Sequence, residues 1–134
     1  MLRANKYKRE RNVFLLSIHS NSGGGHGSEF FTYYGQSKSD FIAEIFAQEY
    51  QKKFPDKKLR EGANGKLSKE DNFQILRQTA MPAVLTENFF FDNREEVEKI
   101  LFTREGRQKI IDFHVNAIVR VKEEIFMEAP VFLN

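Results

Sequence analysis

The stretch VFLLSIHSN at residues 13–21 decides the fold, because an apolar run ends here in a histidine and then a polar turn. Residues 13–16 do not alternate between apolar and polar side chains, which is typical of a strand buried on both faces of a parallel sheet. In open α/β sheets, ligands bind at the carboxyl ends of such strands. His19 lies at this end, either as a core histidine or as a functional side chain.

A second stretch repeats this design further along the chain. Residues 83–87, AVLTE, are a short apolar run that ends in a carboxylate. Helical spacing of apolar residues predicts helices over residues 38–53 and about 104–126. The inward side chains expected for the last helix are Ile110, His114, Ala117, Ile118, Val121 and Ile125. Strands separated by helices predict an α/β domain with a mostly parallel sheet flanked by helices.

Length and composition limit the classes of protein to consider. The 134 residues are enough for one domain, with residues 1–12 and 127–134 expected as flanking segments. No apolar run is long enough to span a bilayer, and residues 1–12 predict no signal peptide. The net charge is +2, and the basic residues lie in polar stretches, Arg60 among them, so we expect solvated surface and no nucleic-acid binding. The chain has no cysteine, which excludes disulfides and thiolate metal sites.

Two polar side chains at predicted strand ends are the candidates for chemistry. A carboxylate directly after a buried strand, as at Glu87, is costly unless it is paired or used, so it forms a salt bridge or acts as a general base. His19 and Glu87 would face one crevice, where a zinc-bound water between them could hydrolyse a substrate. Of the other histidines, His114 lies on an apolar helix stripe and is expected in the core. His26 lies among glycines and is expected on a mobile surface loop.

Three separated motifs also carry a family resemblance. They are SIHSN at residues 17–21, GSEFF at residues 27–31 and LRQTAMPAVLTE at residues 76–87. In this order they resemble the zinc-dependent N-acetylmuramoyl-L-alanine amidases (amidase type 3), which are peptidoglycan hydrolases of bacterial cell walls and phage lysins. The resemblance implies a phosphorylase/hydrolase-like α/β fold, peptidoglycan as the partner, and a parent protein that acts in the cell envelope, periplasm or outside the cell.

The resemblance also implies a role for each matching residue. His19 corresponds to a zinc ligand, and Glu87 corresponds to the catalytic acid/base. The zinc-bound water attacks the amide between N-acetylmuramic acid and L-alanine, and the glutamate passes the proton to the leaving amine. Asn21, Asn88 and Arg77 are expected to contact substrate. Asn21 matches the asparagine after the family's histidine and is also expected to order the site.

The sequence departs from the family pattern at its start. The family begins with a strand that runs into a Gly-His-Gly-Gly motif, which holds the first zinc ligand, and a later glutamate is the second. Neither is found here, so the resemblance implies an N-terminally truncated domain. Because two zinc ligands are missing, this domain is expected to be inactive. His26 and Glu29 are an alternative way to complete the ligand set. The alternative function is a non-catalytic wall-binding or assembly module that keeps the fold.

Loss of the first strands of the family would also expose an edge of the sheet. Exposed sheet edges pair with other chains. We therefore expect a homodimer formed through this edge.

Overall fold

Four strands form one mixed sheet in the part of the chain that the computed structural model describes, residues 3–35 and 37–126. The strands are β1 (Leu15–Asn21), β2 (Glu29–Thr32), β3 (Lys69–Glu70) and β4 (Ala83–Phe90), in the spatial order β1-β4-β2-β3. β1 runs parallel to β4, and β3 runs parallel to β2, while β2 and β4 are antiparallel. The predicted α/β class is confirmed, with one antiparallel pair in the middle of the sheet.

Helices cover both faces of this sheet. They are α1 (Lys38–Lys53), α2 (Gln74–Arg77), α3 (Arg94–Glu96), which continues as a π-helical turn over Val97–Leu101, and α4 (Arg104–Glu124). A 3-10 helix at Arg3–Tyr7 precedes β1. α1 begins at a capping box. The Ser37 hydroxyl accepts from the Ser39 N–H, and the Asp40 carboxylate accepts from the Ser37 N–H. The bounds of α1 are those that the sequence predicts.

Each face of the sheet carries its own apolar cluster. On one face, Phe30 and Val84 pack against α1 and α4 through aromatic side chains that include Tyr50 and Phe113. On the other face, Phe31 and Leu85 pack against Leu76 of α2. The second cluster is smaller, so this face stays open beyond α2, at the carboxyl ends of β1 and β4.

Phe89, near the end of β4, has an unusual backbone conformation. Its φ is +60°, a left-handed value that residues other than glycine adopt at a cost. The Phe89 ring is fully buried against Tyr50 and Phe54, and its N–H donates to the Ser28 hydroxyl. Packing and this hydrogen bond therefore hold a conformation that the backbone alone disfavours.

β1 is only partly buried, so the prediction of a strand buried on both faces was wrong. β4 is its partner on one side, and no strand in residues 3–35 or 37–126 pairs with its other side. Burial along β1 is only intermediate, and 57% of Ile18 is exposed. An apolar edge strand has the same sequence pattern as a central strand. The periodicity of apolar residues indicates which side-chain faces are covered, and it does not indicate whether the backbone is paired on both sides.

The stripe predicted for α4 is correct except at one position. His114, Ala117 and Val121 are buried, and Ile110 and Ile125 pack against the core, but 41% of Ile118 is exposed. The predicted flanking segment 127–134 lies outside the described residues. None of the described helices combines the length and apolar character required to cross a membrane.

Candidate active site

Three neighbouring strands bring His19, Glu87 and Glu29 into one row across the open face of the sheet. His19 of β1 is the register partner of Glu87 of β4, and Glu87 is in turn the partner of Glu29 of β2. Residues directly opposite each other in a sheet project from the same face. The row therefore lies at the carboxyl ends of the parallel pair, where the two sequence stretches predicted a crevice.

Glu87 is half-buried, and one of its carboxylate oxygens, Oε2, is buried without a hydrogen-bond partner among the described residues. Burial is the main reason why its pKa is raised to about 7, and the charge of Glu29 raises it further. A carboxyl group with a pKa near neutrality can both accept and donate a proton. The alternative prediction for Glu87 was a salt bridge. None forms within residues 3–35 and 37–126, because the nearby cations bind Glu29.

Glu29 is held by three donors. Arg60 Nε and Lys69 Nζ lie 2.8 and 3.0 Å from Oε2, and Asn21 Nδ2 donates to Oε1 at 2.8 Å. Burial opposes ionisation of Glu29, but the hydrogen bonds and charges of Lys69 and Arg60 outweigh it and hold its pKa below the usual range. The adjacent carboxylates of Glu87 and Glu29 thus have opposite pKa shifts. This pattern is typical of a site in which one carboxyl group exchanges a proton and the other stays ionised. Arg60 belongs to this site, so its assignment to solvated surface was wrong.

Replacing Glu29 by glutamine should lower the pKa of Glu87. The substitution removes a negative charge beside Glu87 and leaves Arg60 and Lys69 to act on Glu87 instead. Burial of Glu87 is unchanged, so its pKa should fall towards the usual value without reaching it. Carboxyl carbon chemical shifts recorded during a pH titration measure this directly, with Glu95→Gln, on the exposed surface, as the control. An unchanged or higher pKa of Glu87 would contradict the assignment.

His19 has an exposed imidazole on a fixed strand. Its Nε2 is hydrogen-bonded to the Ser17 hydroxyl at 2.7 Å, and its backbone carbonyl accepts from Asn88 Nδ2 at 3.0 Å. Imidazole and carboxylate are suitable donors for zinc, but a catalytic zinc site uses three protein ligands. No group of three histidine, aspartate or glutamate side chains that could hold a metal is found in residues 3–35 and 37–126. The described residues therefore do not fit a complete zinc site on their own.

The alternative ligand set, His19 with His26 and Glu29, is not brought together. Both oxygens of Glu29 are engaged by Asn21, Arg60 and Lys69. The exposed His26 lines a different cavity, of about 680 Å³, with Lys57 and Lys58 after α1. The requirement for three converging side chains is thus not met by these residues.

A buried polar network behind the row fixes the position of His19. Asn88 donates to the His19 carbonyl and to Thr86 Oγ1, both at 3.0 Å. Thr86 bonds His114 Nε2 at 3.0 Å, and His114 Nδ1 lies 2.7 Å from the Ile110 carbonyl. Because a carbonyl only accepts, Nδ1 carries the proton. Burial lowers the pKa of His114, although the bond to Ile110 opposes it, so the ring is neutral and accepts from Thr86.

This network places Asn88 where it cannot contact substrate. Only 2% of its surface is exposed, so it supports β1 and β4 instead. The core role expected for His114 is confirmed by its burial. Asn21 orients Glu29. Arg77, at the end of α2, is exposed and bonds Asn72 Oδ1 at 2.8 Å. Its contact with substrate stays a prediction.

Two acidic side chains that the sequence did not single out anchor the loop between β1 and β2. Asp92 accepts from the backbone N–H groups of Gly23 and Gly24 at 2.8 and 3.0 Å. The buried Glu96 accepts from the N–H groups of Gly27 and Phe90 at 2.8 and 2.9 Å. The loop is therefore tied to the end of β4, contrary to the mobility expected from its glycines. In the sequence, the spacing Asn93-x-x-Glu96 is typical of a helix cap, and no local pattern indicates bonds to this loop.

Comparison with known proteins gives consistent matches. A family model described as N-acetylmuramoyl-L-alanine amidase matches residues 2–120. The N-acetylmuramoyl-L-alanine amidase CwlM of Bacillus licheniformis is 40% identical over 107 residues, which are 80% of this chain and 40% of that protein. An endolysin of Bacillus phage SPP1 is 34% identical over 99 residues, 70% of this chain and 35% of the endolysin.

A solved structure gives the same fold. The N-acetylmuramoyl-L-alanine amidase of Clostridium difficile 630 superposes with a TM-score of 0.77 at 20% identity. The match covers 91% of this chain and 62% of that one. The chain thus spans less than half the length of the two curated relatives and under two thirds of this structural neighbour.

Proposed function

The chain belongs to the N-acetylmuramoyl-L-alanine amidase family, and from this premise we propose that it acts in hydrolysis of the amide between N-acetylmuramic acid and L-alanine, with Glu87 as acid/base. The observation that carries the proposal is Glu87 itself. Its Oε2 has no partner among the described residues, and its pKa is raised to about 7. The substrate is peptidoglycan, so the place of action is the cell wall, outside the cytoplasm.

In this proposal, Glu87 moves one proton between two atoms of the reaction. Its Oε2 takes a proton from water as the water oxygen bonds to the amide carbon, and it gives that proton to the nitrogen as the carbon–nitrogen bond breaks. A pKa near 7 suits both transfers at neutral pH. Glu29 stays ionised beside Glu87, held by Arg60 and Lys69.

His19 is the zinc ligand in the proposed function. Bound zinc would polarise the scissile carbonyl and lower the pKa of a water molecule. Asn88 holds the backbone of His19, so that the imidazole lies beside Glu87. The remaining ligands would have to come from outside the described residues, because His19 alone is too few for a catalytic site.

The alternative function is a non-catalytic wall-binding or assembly module of the same fold. The shortage of metal ligands among residues 3–35 and 37–126 favours it. In that case the chain would bind peptidoglycan without releasing new amino groups.

A paired histidine experiment separates the two functions. In a protein that supplies the remaining zinc ligands together with this chain, we expect zinc-dependent release of L-alanine amino groups from purified peptidoglycan, measured by amine labelling. His19→Ala should lower this release at least about 100-fold, the upper end of the losses seen when residues outside the ligand sphere are changed. His26→Ala, at an exposed position away from the row, should leave it unchanged. If that protein sediments with peptidoglycan but releases no amino groups with zinc, the binding module is correct.

A further inference from the structure

The guanidinium of Arg60 is fixed beside the row of acidic side chains, but only one of its nitrogen atoms is used there. Its Nε donates to Glu29 Oε2 at 2.8 Å, and its Cζ lies 5.1 Å from the centre of the Phe90 ring. Arginine carries five N–H donors in a planar fork. Among residues 3–35 and 37–126, no acceptor bonds to Nη1 or Nη2 of Arg60. The outer end of the fork can therefore bind a ligand, since 31% of the side chain is exposed.

Gly25, in the loop between β1 and β2, leaves the space that this guanidinium occupies. A Cβ atom at Gly25 would lie 3.0 Å from Arg60 Nη1 and 2.7 Å from Phe90 Cζ, so both side chains would have to move. The loop itself is held in place, because Asp92 and Glu96 accept from its N–H groups on both sides of Gly25. The packing of the loop thus determines where the Nη groups lie.

The charges around Glu29 leave an excess of positive charge. Arg60 Nε and Lys69 Nζ bind the same oxygen of Glu29, at 2.8 and 3.0 Å. Two cations thus share one carboxylate, and Glu87 forms an ion pair with neither of them. Both cationic side chains are largely buried, so salt screens their charge less than it screens an exposed charge. A ligand that brings one negative charge to this place would balance the pair.

The sheet also determines how far Arg60 lies from the proposed reaction. Glu29 is one strand away from Glu87, and the segment that carries Arg60 is the next neighbour of β2, through the bridge between Ser28 and Leu59. Neighbouring strands are about 4.8 Å apart, so this segment is roughly 10 Å from Glu87. An extended peptide spans about 3.3–3.6 Å per residue. The second residue of a peptide whose first amide lies at Glu87 therefore comes within reach of Arg60.

We propose that Arg60, with Lys69 beside it, binds a carboxylate on the residue that follows L-alanine in the peptide of the substrate. This inference rests on the proposed function, which places the scissile amide at Glu87. The two Nη groups would donate to the two carboxylate oxygens, a bidentate geometry that arginine favours. Arg60 is then a specificity-determining residue, because it distinguishes a peptide with a free acid at this position from a peptide with an amide.

Binding of two dipeptides tests this subsite without the reaction. The probes are L-alanyl-D-glutamate and its diamide, in which both carboxyl groups are amides, and each is titrated into the isotope-labelled chain and followed by NMR. Arg60 and its neighbours belong to the described residues, so the measurement needs no zinc. Hydrogen bonds between charged groups are the strong ones, so the acid should bind at least about tenfold more tightly than the diamide. The Nε–H signal of Arg60 should shift with the acid.

Three substitutions locate the effect. Arg60→Gln removes the fork and should abolish the preference for the acid. Lys57→Gln removes the same charge from a side chain that is 34% exposed and lines the other cavity, so it should leave the preference unchanged. Gly25→Ala keeps every charge, but its Cβ displaces the guanidinium, so the preference should fall. Circular dichroism melts verify folding, and Arg60→Lys, which keeps a cation beside Glu29, replaces Arg60→Gln if that variant is unfolded.

The outcomes separate this subsite from the proposed function. Equal binding of the acid and the diamide would overturn the subsite, as would a preference that persists unchanged without the Arg60 fork. Preference for the acid without release of amino groups, in a protein that also supplies the remaining zinc ligands, would refute hydrolysis and support the subsite. Release of amino groups together with equal binding of the two dipeptides would refute the subsite alone.

Discussion

Glu87→Gln should lower hydrolysis at least about 100-fold while making the folded chain more stable above neutral pH. Glutamine keeps the shape of the side chain but cannot carry the proton from water to the leaving amine. General acid–base catalysis contributes about 10²–10⁴-fold, so a loss of this size is expected. The measurement is release of amino groups from peptidoglycan with zinc, in a protein that also supplies the remaining zinc ligands, relative to the same protein without the substitution.

The gain in stability follows from the pKa of Glu87. Folding raises this pKa from 4.5 to about 7, mainly by burial, so the folded state binds the proton more tightly than the unfolded state does. The free energy of unfolding of the native chain should therefore fall as the pH rises from about 4.5 to 7. Glutamine has no such penalty. After allowance for solvent screening of a half-buried group, Glu87→Gln should be about 1–2 kcal/mol more stable at pH 8.

Denaturant unfolding at pH 4 and pH 8 measures this difference. The two chains should differ little at pH 4, where Glu87 is protonated in both states. Glu95→Gln is the matched control, because Glu95 is exposed and pairs with Lys99 at the surface. Full activity of Glu87→Gln would refute the acid/base role, and a variant that is less stable at pH 8 would contradict the described burial of Glu87.

Glu96→Ala should cause a large loss of stability. The Glu96 carboxylate accepts from Gly27 and Phe90, whose N–H groups would then be left without partners in the interior. Each unsatisfied buried group costs about 1–3 kcal/mol, so loss of both bonds should lower the free energy of unfolding by about 2–6 kcal/mol. In a domain of this size the midpoint of thermal unfolding should drop by about 10 °C.

The neighbouring position provides the control for this change. Glu95→Ala removes an exposed pair with Lys99, and such pairs contribute about 0–1 kcal/mol. Calorimetry of both variants compares a buried and an exposed carboxylate on the same turn. If Glu95→Ala and Glu96→Ala melt at the same temperature, the anchoring role of Glu96 is wrong.

Local signals explain why parts of the fold could be predicted. α1 was delimited from the sequence because Ser37 and Asp40 cap its start and Pro55 follows its end. The apolar runs that end in His19 and Glu87 indicated two strands with a shared edge, and their register places these residues side by side. Short-range patterns were sufficient for these features.

The rest depends on contacts between distant residues. β3 has two residues and exists only through pairing with β2, which no local pattern reports. Arg60 and Lys69 reach Glu29 across 31 and 40 positions, so their polar stretch resembled solvated loop.

Phe89 implies a constraint on how this sequence can change over evolutionary time. The left-handed backbone at this position favours glycine, whereas the cavity between Tyr50 and Phe54 favours a large ring. Glycine would relieve the backbone but leave a hole in the core, and other large residues would fill the hole but keep the strained backbone. Substitutions at position 89 should therefore be tolerated only together with compensating changes at positions 50 or 54. Among homologues, these three positions should covary.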